Sequence, residues 1–330
     1  MNELNETKPS PKKNKRNIVI IVSIIIITLI ALFLFFYNKL FSNLETVDIT
    51  KDAGELMIST QIPQYEEITN YAIFGIDTRD NDYDGSRTDT IMIASLDYKH
   101  NKIKLSSIMR DTYVNIPGKK YDKINHAYNY GGAQLSIQTI NQNFDMNIKD
   151  FVTVNFTALE KLVDALGGVE INIKQNETSL INGNIKAGMQ NLTGEQAVDY
   201  CRIRYVGNAD YERTERQRRV MQQIISKLQE GTSLIDMLSL VEDILPYVET
   251  SLSKEEIMVL GAKVLASGEK SVEETRLPLS ENSKGTMING VYYLLPKSLK
   301  DNVVHLHKFI YETEDYEPTQ TVMDISNKMN

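Results

Sequence analysis

The sequence has little cysteine and none of the short motifs that mark a common protein nucleophile. Cys201 is the one cysteine among 330 residues, so an intrachain disulfide is impossible. The chain contains no G-x-S-x-G, no H-E-x-x-H and no pair of C-x-x-C motifs, which excludes those hydrolase and zinc-site patterns. Cys201 stands between Tyr200 and Arg202 without a His/Asn arrangement to activate it, so we interpret it as a packed thiol.

Net positive charge is lacking as well. Lysine and arginine number 36 against 44 aspartates and glutamates, which gives a formal net charge of −8. Bulk charge therefore gives no reason to expect nucleic-acid binding, and any anion site must be a local cluster. The 42% hydrophobic and 24% charged content is ordinary for a globular protein.

An uncharged apolar run at residues 18–37 has the length needed to cross a bilayer. A basic cluster at 12–16 precedes it, so the positive-inside rule places the N-terminus in the cytoplasm and everything after residue 39 outside. A cleaved signal peptide is the alternative, but the run exceeds a usual h-region and no A-x-A-like site follows. We expect a cell-membrane protein with a single span and an extracellular catalytic domain.

The rest of the chain alternates strand and helix signals. We predict an α/β (α+β) fold with a central mixed β-sheet flanked by helices and preceded by one transmembrane helix. The expected domains are a cytoplasmic basic tail (1–17), the transmembrane helix (18–37), a juxtamembrane connector (38–69) and the extracellular domain (70–330). Late strands are expected at 272–279 and 287–295, and a last long helix at 297–310.

Charged residues cluster at the ends of the first predicted strands. Asp77 closes the first strand, Arg87 and Asp89 flank Thr88 where the second begins, and Arg110 closes the third. Strand ends and the loops that leave them commonly build sites. Two carboxylates with arginines between them suit a divalent cation bound to a phosphate. The alternative is that each residue is an ordinary surface charge.

A second arginine group lies downstream, at Arg202 and Arg204. Residues two apart share a face only on extended chain, so the helix that starts near Gly194 should give way near Cys201.

A third group opens the next helix. Arg213 and Gln217 share one face of it, with Arg216 beside them, and a helix N-terminus itself favours anions. The alternative is a solvated basic face neutralised by Glu212 and Glu215.

Several segments together resemble the LytR–CpsA–Psr family in order and spacing. They lie between about Tyr71 and Val220 and comprise Gly75-Ile76-Asp77-Thr78-Arg79, Arg87-Thr88-Asp89-Thr90, Met109-Arg110-Asp111-Thr112-Tyr113-Val114, Lys123-Ile124-Asn125-His126-Ala127-Tyr128, Val163-Asp164-Ala165-Leu166-Gly167-Gly168-Val169, Leu192-Thr193-Gly194-Glu195-Gln196-Ala197, and Arg202-Ile203-Arg204 followed by Asp210 to Gln217. The chain has Met109 and Thr88 where the family often has proline and serine, and both changes keep the charged groups.

The resemblance implies roles for the charged residues. It implies that Asp77 and Asp89 hold Mg²⁺ (Mn²⁺ is also possible) against a polyprenyl pyrophosphate. It implies that the phosphates are bound by a set of arginines and one glutamine: Arg87, Arg110, Arg202, Arg204, Arg213 and Gln217. Arg110 would stabilise charge in the reaction, and Asp89 or Asp210 is a candidate general base. The sequence does not choose between these two acids.

The implied activity is transfer of an anionic glycopolymer, such as teichoic acid or capsule, from a polyprenyl (undecaprenyl) pyrophosphate carrier to peptidoglycan in a Gram-positive type of envelope. The lipid tail would occupy an apolar tunnel between sheet and helices. Helices at 156–166, 220–228 and 233–245 supply candidate lining residues: Leu159, Val163, Ile224 and Leu238.

Three other functions compete with transfer. One is a non-catalytic lipid- or glycan-binding module, and another is an envelope-linked transcriptional regulator, against which the acidic charge and the lack of a helix-turn-helix pattern argue. The third, a pyrophosphatase, is compatible with transfer as a side reaction. The sequence does not name the polymer, whose choice we assign to loops such as residues 175–190.

Topology gives a direct test. Protease added to intact protoplasts should remove the domain after residue 39, because the basic cluster retains the N-terminus inside. A cytoplasmic marker protein should survive the same treatment and be degraded once detergent is added. Full protection of the domain in intact protoplasts would contradict the predicted orientation.

Overall fold

A computed structural model describes residues 31, 37–39, 41–42, 44–62, 67–79, 83, 85–204, 206, 209–230, 234–266 and 271–329, without the side chains of 209–210, 234–238 and 264–266. The chain divides into two units, residues 1–43 and 44–330. In the first, residues 37–39 form a helical turn and the Tyr37 ring centroid lies 5.2 Å from that of Phe41. The second contains the sheet and the helices that cover it.

The expected membrane span at 18–37 and the tail before it lie outside the described residues, except for Ala31 and Tyr37. Within the described part of the chain, no helix has both the length and the apolar character that a bilayer crossing needs.

The described strands are β1 (Glu45–Thr46), β2 (Ile68–Ile76), β3 (Thr88–Asp97), β4 (Lys102–Ile108), β5 (Tyr113–Asn115), β6 (Tyr121–Lys123), β7 (Asp150–Asn155), β8 (Val169–Ile173), β9 (Gly188–Leu192), β10 (Val248–Thr250), β11 (Ser271–Leu277), β12 (Ser283–Ile288) and β13 (Val291–Pro296). The described helices are α1 (His126–Phe144), α2 (Phe156–Ala165), α3 (Gly194–Arg202), α4 (Ala209–Gln229), α5 (Leu234–Ile244), α6 (Lys254–Ala266), α7 (Leu299–Tyr311) and α8 (Gln320–Met329).

The central sheet has the order β1-β10-β7-β2-β3-β4-β11. β2 lies in the middle, antiparallel to β3 and parallel to β7, and β3 is antiparallel to β4. Two-residue alternation assigns successive side chains of these strands to opposite faces. The predicted α/β fold with a central mixed sheet flanked by helices is thereby confirmed.

The two faces of the sheet are covered by different helices. Along β3, Ile91 and Ile93 belong to the main core, which includes Ile137 of α1 and Val303 of α7. Ala94 and its neighbours on the other face pack with side chains of α4 and α6. A further core lies among α2, α3, α4 and the β8–β9 hairpin. The candidate site forms on the face of the sheet that carries Ala94, opposite the main core.

Local signals in the sequence set several element boundaries. Thr193 accepts a hydrogen bond from the Gln196 backbone and Gln196 caps back, which confirms the predicted capping box at the start of α3. α2 ends at Ala165, and Gly167 and Gly168 follow with φ of 74° and 94°, values that favour glycine.

The predicted strand at 287–295 is instead a hairpin. β12 and β13 are antiparallel, and the two residues between them, Asn289 and Gly290, have φ of 51° and 81°. An Asn-Gly pair with both φ values positive is the preferred two-residue hairpin turn. The strand signal ran through the turn because apolar residues lie on both sides of it.

The compact second unit begins at Leu44, earlier than the predicted domain boundary at residue 70. β1 pairs with β10, and Leu56 is buried in the main core. The segment expected to be a connector therefore contributes to the sheet and the core.

At the other end of the chain, Asp145 holds the start of α8 in place. It accepts hydrogen bonds from the Thr319 amide and hydroxyl at 2.7 and 2.6 Å.

His307 lies in the main core between α1 and the C-terminal segment. Its Nε2 donates to the Phe144 carbonyl at 3.0 Å, and its ring stacks on Tyr316 with centroids 3.6 Å apart. Burial, which disfavours the charged form, lowers the pKa of His307 to about 4 despite the backbone hydrogen bond. The imidazole is therefore neutral in the folded protein at neutral pH.

This burial predicts a loss of stability in acid. Between pH 6.5 and about 4 the unfolded chain binds a proton at this position that the folded chain does not, so the free energy of unfolding should fall by up to about 3 kcal/mol as the pH drops. Urea titrations at pH 7 and pH 4.5 should show a smaller pH effect in His307→Gln than in the wild type. An unchanged pH effect in His307→Gln would contradict the assignment.

Candidate active site

The charged strand ends meet at one edge of the sheet. β2 ends one residue before Asp77, β3 begins with Thr88 and Asp89, and β4 ends two residues before Arg110. Because β2, β3 and β4 are successively antiparallel, the end of β2, the start of β3 and the end of β4 lie together. The sequence prediction that these residues share a site is consistent with this arrangement.

A bulge in β3 shapes that edge, because Thr90 pairs with Gly75 and Thr88 with Ile76, which leaves Asp89 unpaired in the β2–β3 ladder. The register between β2 and β3 shifts between Gly75 and Ile76. A Cβ on Gly75 would lie only 2.8 Å from the Cβ of Thr90, so a side chain there would push the two strands apart. Bulges re-aim side chains, and here the bulged residue is Asp89.

Asp89 is the centre of the charged cluster. Arg110 Nη1 donates to its Oδ1, Arg204 Nη2 lies 2.9 Å from its Oδ2, and Arg213 Nη1 lies 3.8 Å from Oδ1. Arg213 also donates to the Asp89 carbonyl at 3.4 Å and is 2% exposed. One carboxylate thus holds three arginines from three separate segments of the chain.

Asp77 is the second carboxylate of the cluster. Arg202 Nη2 lies 3.3 Å from its Oδ1 and Arg204 Nη2 lies 3.6 Å from its Oδ2. α3 ends at Arg202, and Ile203 has φ −58° and ψ 118°, which is no longer helical. The predicted change from helix to extended chain is confirmed, and it lets Arg202 and Arg204 reach the same carboxylate.

Arg216 has a structural role that differs from that of Arg213 on the same helix. Its Nε lies 2.7 Å from Glu177 Oε1, with both side chains almost fully buried, and its Nη2 lies 2.9 Å from Glu212. Its Nη1 donates to the Ile203 carbonyl at 3.1 Å. Arg216 therefore fixes the segment that presents Arg202 and Arg204. For this residue the alternative interpretation is correct in part: Glu212 neutralises its charge, but the ion pair is buried and not solvated.

The three other residues predicted for the site, Gln217, Arg87 and Asp210, do not share one environment. Gln217 lies one turn after Arg213, and its Oε1 is buried without a hydrogen-bond partner among the described residues. Arg87 is exposed and forms no ion pair with a described carboxylate. Asp210 belongs to the first turn of α4, but its side chain lies outside the described residues.

An apolar cavity opens beside Asp77 and Asp89, between the sheet and the helices α2 and α4. Its volume is about 70 Å³, and its lining includes Ile73, Met92, Phe156, Leu159, Met221 and Ile224. Leu159 and Ile224 were predicted tunnel residues, whereas Val163 belongs to the solid core among α2, α3 and α4, and the side chain of Leu238 is not described. Phe156 and Met221 were missed, since only the pairing of sheet and helix brings them to this wall.

Cys201 also lines the cavity, as an inert group. Burial raises the pKa of its thiol to about 12, although the nearby Arg216 acts in the opposite direction. A thiol that stays protonated at neutral pH is no nucleophile, which agrees with its interpretation as a packed side chain.

Lys123, part of a family motif but without a role predicted from sequence, is the second partner of Asp111. Lys123 Nζ lies 2.7 Å from Asp111 Oδ1, and Arg110 Nε lies 3.6 Å from Asp111 Oδ2. The pairing of β5 with β6 brings Lys123 back beside this strand end, and two three-residue strands give little signal in sequence.

The donor set fits one kind of metal ion. Within the described residues no group of three or more His, Cys, Asp or Glu side chains is arranged to hold a metal. Asp77 and Asp89 nonetheless approach the same nitrogen, Arg204 Nη2, at 3.6 and 2.9 Å. Two converging carboxylates suit Mg²⁺ or Mn²⁺ when phosphate and water supply the other oxygen ligands. They do not suit an ion held by protein ligands alone.

Comparison with known proteins gives consistent results. The chain is 32% identical over 263 residues to the polyisoprenyl-teichoic acid–peptidoglycan teichoic acid transferase TagU of Bacillus cereus, covering 78% of this chain and 81% of the relative. It is 32% identical over 206 residues to the regulatory protein MsrR of Staphylococcus aureus, covering 62% and 63%.

Among solved structures, the LytR-CPS2A-psr family protein YwtF (TagT) with bound octaprenyl pyrophosphate lipid superposes with a TM-score of 0.61 and 26% identity, over 80% of this chain and all of that one. The model of the LytR_cpsA_psr family matches residues 32–308, which include every strand and helix of the site edge. The chain belongs to the LytR_cpsA_psr family.

Proposed function

We propose that this chain transfers an anionic glycopolymer, such as wall teichoic acid, from a polyprenyl pyrophosphate to peptidoglycan. One observation carries the proposal: the arginine–carboxylate cluster lies at the mouth of an apolar cavity lined by Asp77, Asp89 and Gln217 at its polar end. The proposed substrate has the same two parts, because a charged pyrophosphate is joined to a long apolar hydrocarbon tail. The name of the Bacillus cereus relative and the lipid in the YwtF (TagT) structure support it.

The cluster is suited to a pyrophosphate. Arginine offers a planar fork that donates two parallel hydrogen bonds to phosphate, and such charge-assisted bonds are strong. Arg110, Arg202 and Arg204 are all partly exposed while paired with carboxylates, so each has surface available to an anion. Arg213 is buried behind Asp89 and supports the cluster from the protein side.

The apolar cavity is suited to the start of a prenyl tail. Each CH₂ group that leaves water contributes roughly 0.8 kcal/mol. At about 70 Å³ the cavity is narrow, so binding a long tail requires α2 and α4 to separate from the sheet. We propose that the tail widens the cavity between Leu159 and Ile224.

Asp77 and Asp89 would hold Mg²⁺ against the pyrophosphate. A bound divalent cation neutralises phosphate charge and polarises the phosphoryl oxygens. In its presence the two carboxylates would release part of their contact with Arg204, which then becomes available to the substrate.

In the proposed reaction, a sugar hydroxyl oxygen of peptidoglycan attacks the phosphorus that bears the glycopolymer. A new P–O bond forms as the bond to the bridging oxygen of the pyrophosphate breaks, and the electron pair leaves with polyprenyl phosphate. The hydroxyl proton passes to a base. Phosphoryl transfer needs positioning and electrostatic stabilisation rather than a protein nucleophile, which accords with the inert Cys201.

Asp89 and Asp210 are the candidate bases. Both oxygens of Asp89 are already engaged, Oδ1 by Arg110 and Oδ2 by Arg204, and the same carboxylate would hold the metal ion. We therefore favour Asp210 as the base and Asp89 as a positioning group. Attack by water in place of the sugar hydroxyl would give pyrophosphatase activity as a side reaction.

We further propose that the domain faces outward from a single N-terminal membrane anchor, which places it beside peptidoglycan.

The decisive assay is turnover. The purified full-length chain, mixed with a prenyl pyrophosphate-linked polymer, Mg²⁺ and peptidoglycan, should release prenyl phosphate and form a polymer–glycan adduct. Binding without turnover would favour the non-catalytic module.

Arg110→Lys should separate function from stability. Lysine offers a point charge in place of a fork, so transfer should fall by at least about tenfold, or roughly 1.4 kcal/mol of transition-state stabilisation. The melting temperature should change little, because a partly exposed ion pair contributes about 0–1 kcal/mol. Arg219→Lys, on α4 but paired with Glu215, is the matched control and should retain activity. Wild-type turnover in Arg110→Lys, or a large drop in its melting temperature, would assign Arg110 a structural role.

Metal binding is testable without turnover. With a prenyl pyrophosphate present, Mn²⁺ titrations followed by the paramagnetic resonance of the free ion should give a Kd that rises at least about tenfold in Asp77→Asn and in Asp89→Asn. Asp199→Asn, which removes a carboxylate on α3 outside the cluster, should bind like the wild type. Unchanged Mn²⁺ affinity in either site variant would remove that residue from the metal site.

A further inference from the structure

A group of tyrosine rings lies next to the charged cluster, linked by ring contacts and by shared hydrogen bonds to Asp122. This tyrosine surface consists of Tyr113 on β5, Tyr121 on β6, Tyr293 on β13 and Tyr130 on α1. Tyr113 stacks on Tyr121 with centroids 5.5 Å apart and meets Tyr293 edge-on at 5.1 Å. All four rings are partly exposed, and Tyr130 is 44% exposed.

Asp122 fixes the rings of this surface. It accepts hydrogen bonds from Tyr130 Oη at 2.7 Å, His126 Nδ1 at 2.8 Å and Tyr293 Oη at 3.2 Å. Burial raises the pKa of Asp122, but the hydrogen bonds from His126 and Tyr130 outweigh it and leave the pKa below its ordinary value. An ionised carboxylate thus anchors two ring hydroxyls, so the rings offer rigid faces whose ordering cost is already met in folding.

The tyrosine surface is joined to the site through Lys123. Lys123 Nζ lies 5.8 Å from the Tyr293 ring centroid and 2.7 Å from Asp111. Asp111 adjoins Arg110, and its carbonyl accepts a hydrogen bond from the Leu294 amide at 2.9 Å. The surface is therefore built on the same strand end that presents Arg110 to Asp89.

A polar cavity adjoins the surface at Tyr130. It has a volume of about 460 Å³, within the range of small-molecule sites, and its lining includes Asn129, Gln134, Asp48 and Glu249. Amide and carboxylate groups beside an aromatic ring can bind the hydroxyl and acetamido groups of a sugar while its apolar C–H face packs on the ring.

We propose that the tyrosine surface and the polar cavity bind the acceptor, a glycan strand of peptidoglycan, and deliver its hydroxyl to the charged cluster. The inference rests on the proposed function, in which the arginines and the apolar cavity already accommodate the pyrophosphate and the tail. Charge distinguishes the acceptor from the donor polymer: Asp48 and Glu249 in the polar cavity disfavour a polyanion, and of the two lysines over the tyrosine rings, Lys119 and Lys123, the second is neutralised by Asp111. An uncharged sugar backbone is not repelled by these carboxylates and does not need a lysine to bind.

The experiment measures the Michaelis constants for acceptor and donor separately in the full-length chain. The probes are polymer-free glycan strands and a prenyl pyrophosphate-linked polymer. Tyr130→Ala should raise the KM for glycan strands at least about fivefold, and the ratio of transfer to hydrolysis should fall in proportion. Tyr130→Phe keeps the ring but loses its hydrogen bond to Asp122, so its KM for glycan strands should lie between those of the wild type and Tyr130→Ala. Tyr292→Ala is the matched control, because Tyr292 is 46% exposed and successive residues of β13 point to opposite faces.

The outcomes separate this inference from the proposed function. A wild-type chain without any turnover would contradict the proposed function itself. A wild-type chain that turns over, with an unchanged acceptor KM in Tyr130→Ala, would overturn the acceptor site alone. A rise in the donor KM instead would assign the tyrosine surface to the donor polymer. Co-sedimentation with polymer-stripped cell walls provides a second readout, in which Tyr130→Ala should bind more weakly than Tyr292→Ala.

Discussion

The contact of Asp89 with Arg110, Arg204 and Arg213 is the interaction on which the rest of the site depends. Without a carboxylate between them these three cations would repel one another, because like charges near a protein surface interact unfavourably. Asp77 and Asp89 among Arg110, Arg202, Arg204 and Arg213 leave a net charge of +2 in the cluster. The two carboxylates thus neutralise part of the arginine charge, and the remaining positive charge favours a polyanion.

The sheet edge gives this cluster its two different neighbours. On one side, the strands β2 and β3 and the helices α2 and α4 enclose an apolar cavity that ends at Asp77 and Asp89. On the other, β5, β6 and β13 continue from the Arg110 strand end into the tyrosine surface. The charged cluster lies between an apolar and a polar aromatic environment. The proposed transfer from a lipid-linked donor to a carbohydrate acceptor would use this order of surfaces.

A buried ion pair elsewhere in the domain stabilises the position of the charged cluster between these two surfaces. Arg216 and Glu177 form an almost fully buried pair, and the same guanidinium binds the Ile203 carbonyl between the two arginines that reach Asp77. Such pairs gain little net stability over apolar residues but become costly when one partner is lost. Glu177 comes from the segment between β8 and β9, so this loop is mechanically connected to the position of Arg202 and Arg204.

Local sequence determined much of this protein. The capping box at Thr193, the Gly167-Gly168 helix end and the strand ends at Asp77, Asp89 and Arg110 were all readable, because each depends on neighbours a few residues away. The order of these motifs was sufficient to identify the family. The Asn289-Gly290 turn was also present as a local signal, although apolar residues on both sides masked it.

Tertiary structure alone decided the rest. Arg213 and Arg216 are three residues apart on one helix, yet one supports Asp89 and the other joins Glu177. Periodicity places both near one face and cannot say which partner meets each. The cavity wall at Phe156 and Met221, and the convergence of Tyr130 and Tyr293 on Asp122, bring together residues from distant segments. Contacts of this kind depend on how the sheet and helices pack, and the sequence specifies that packing only through the sum of all its buried surfaces.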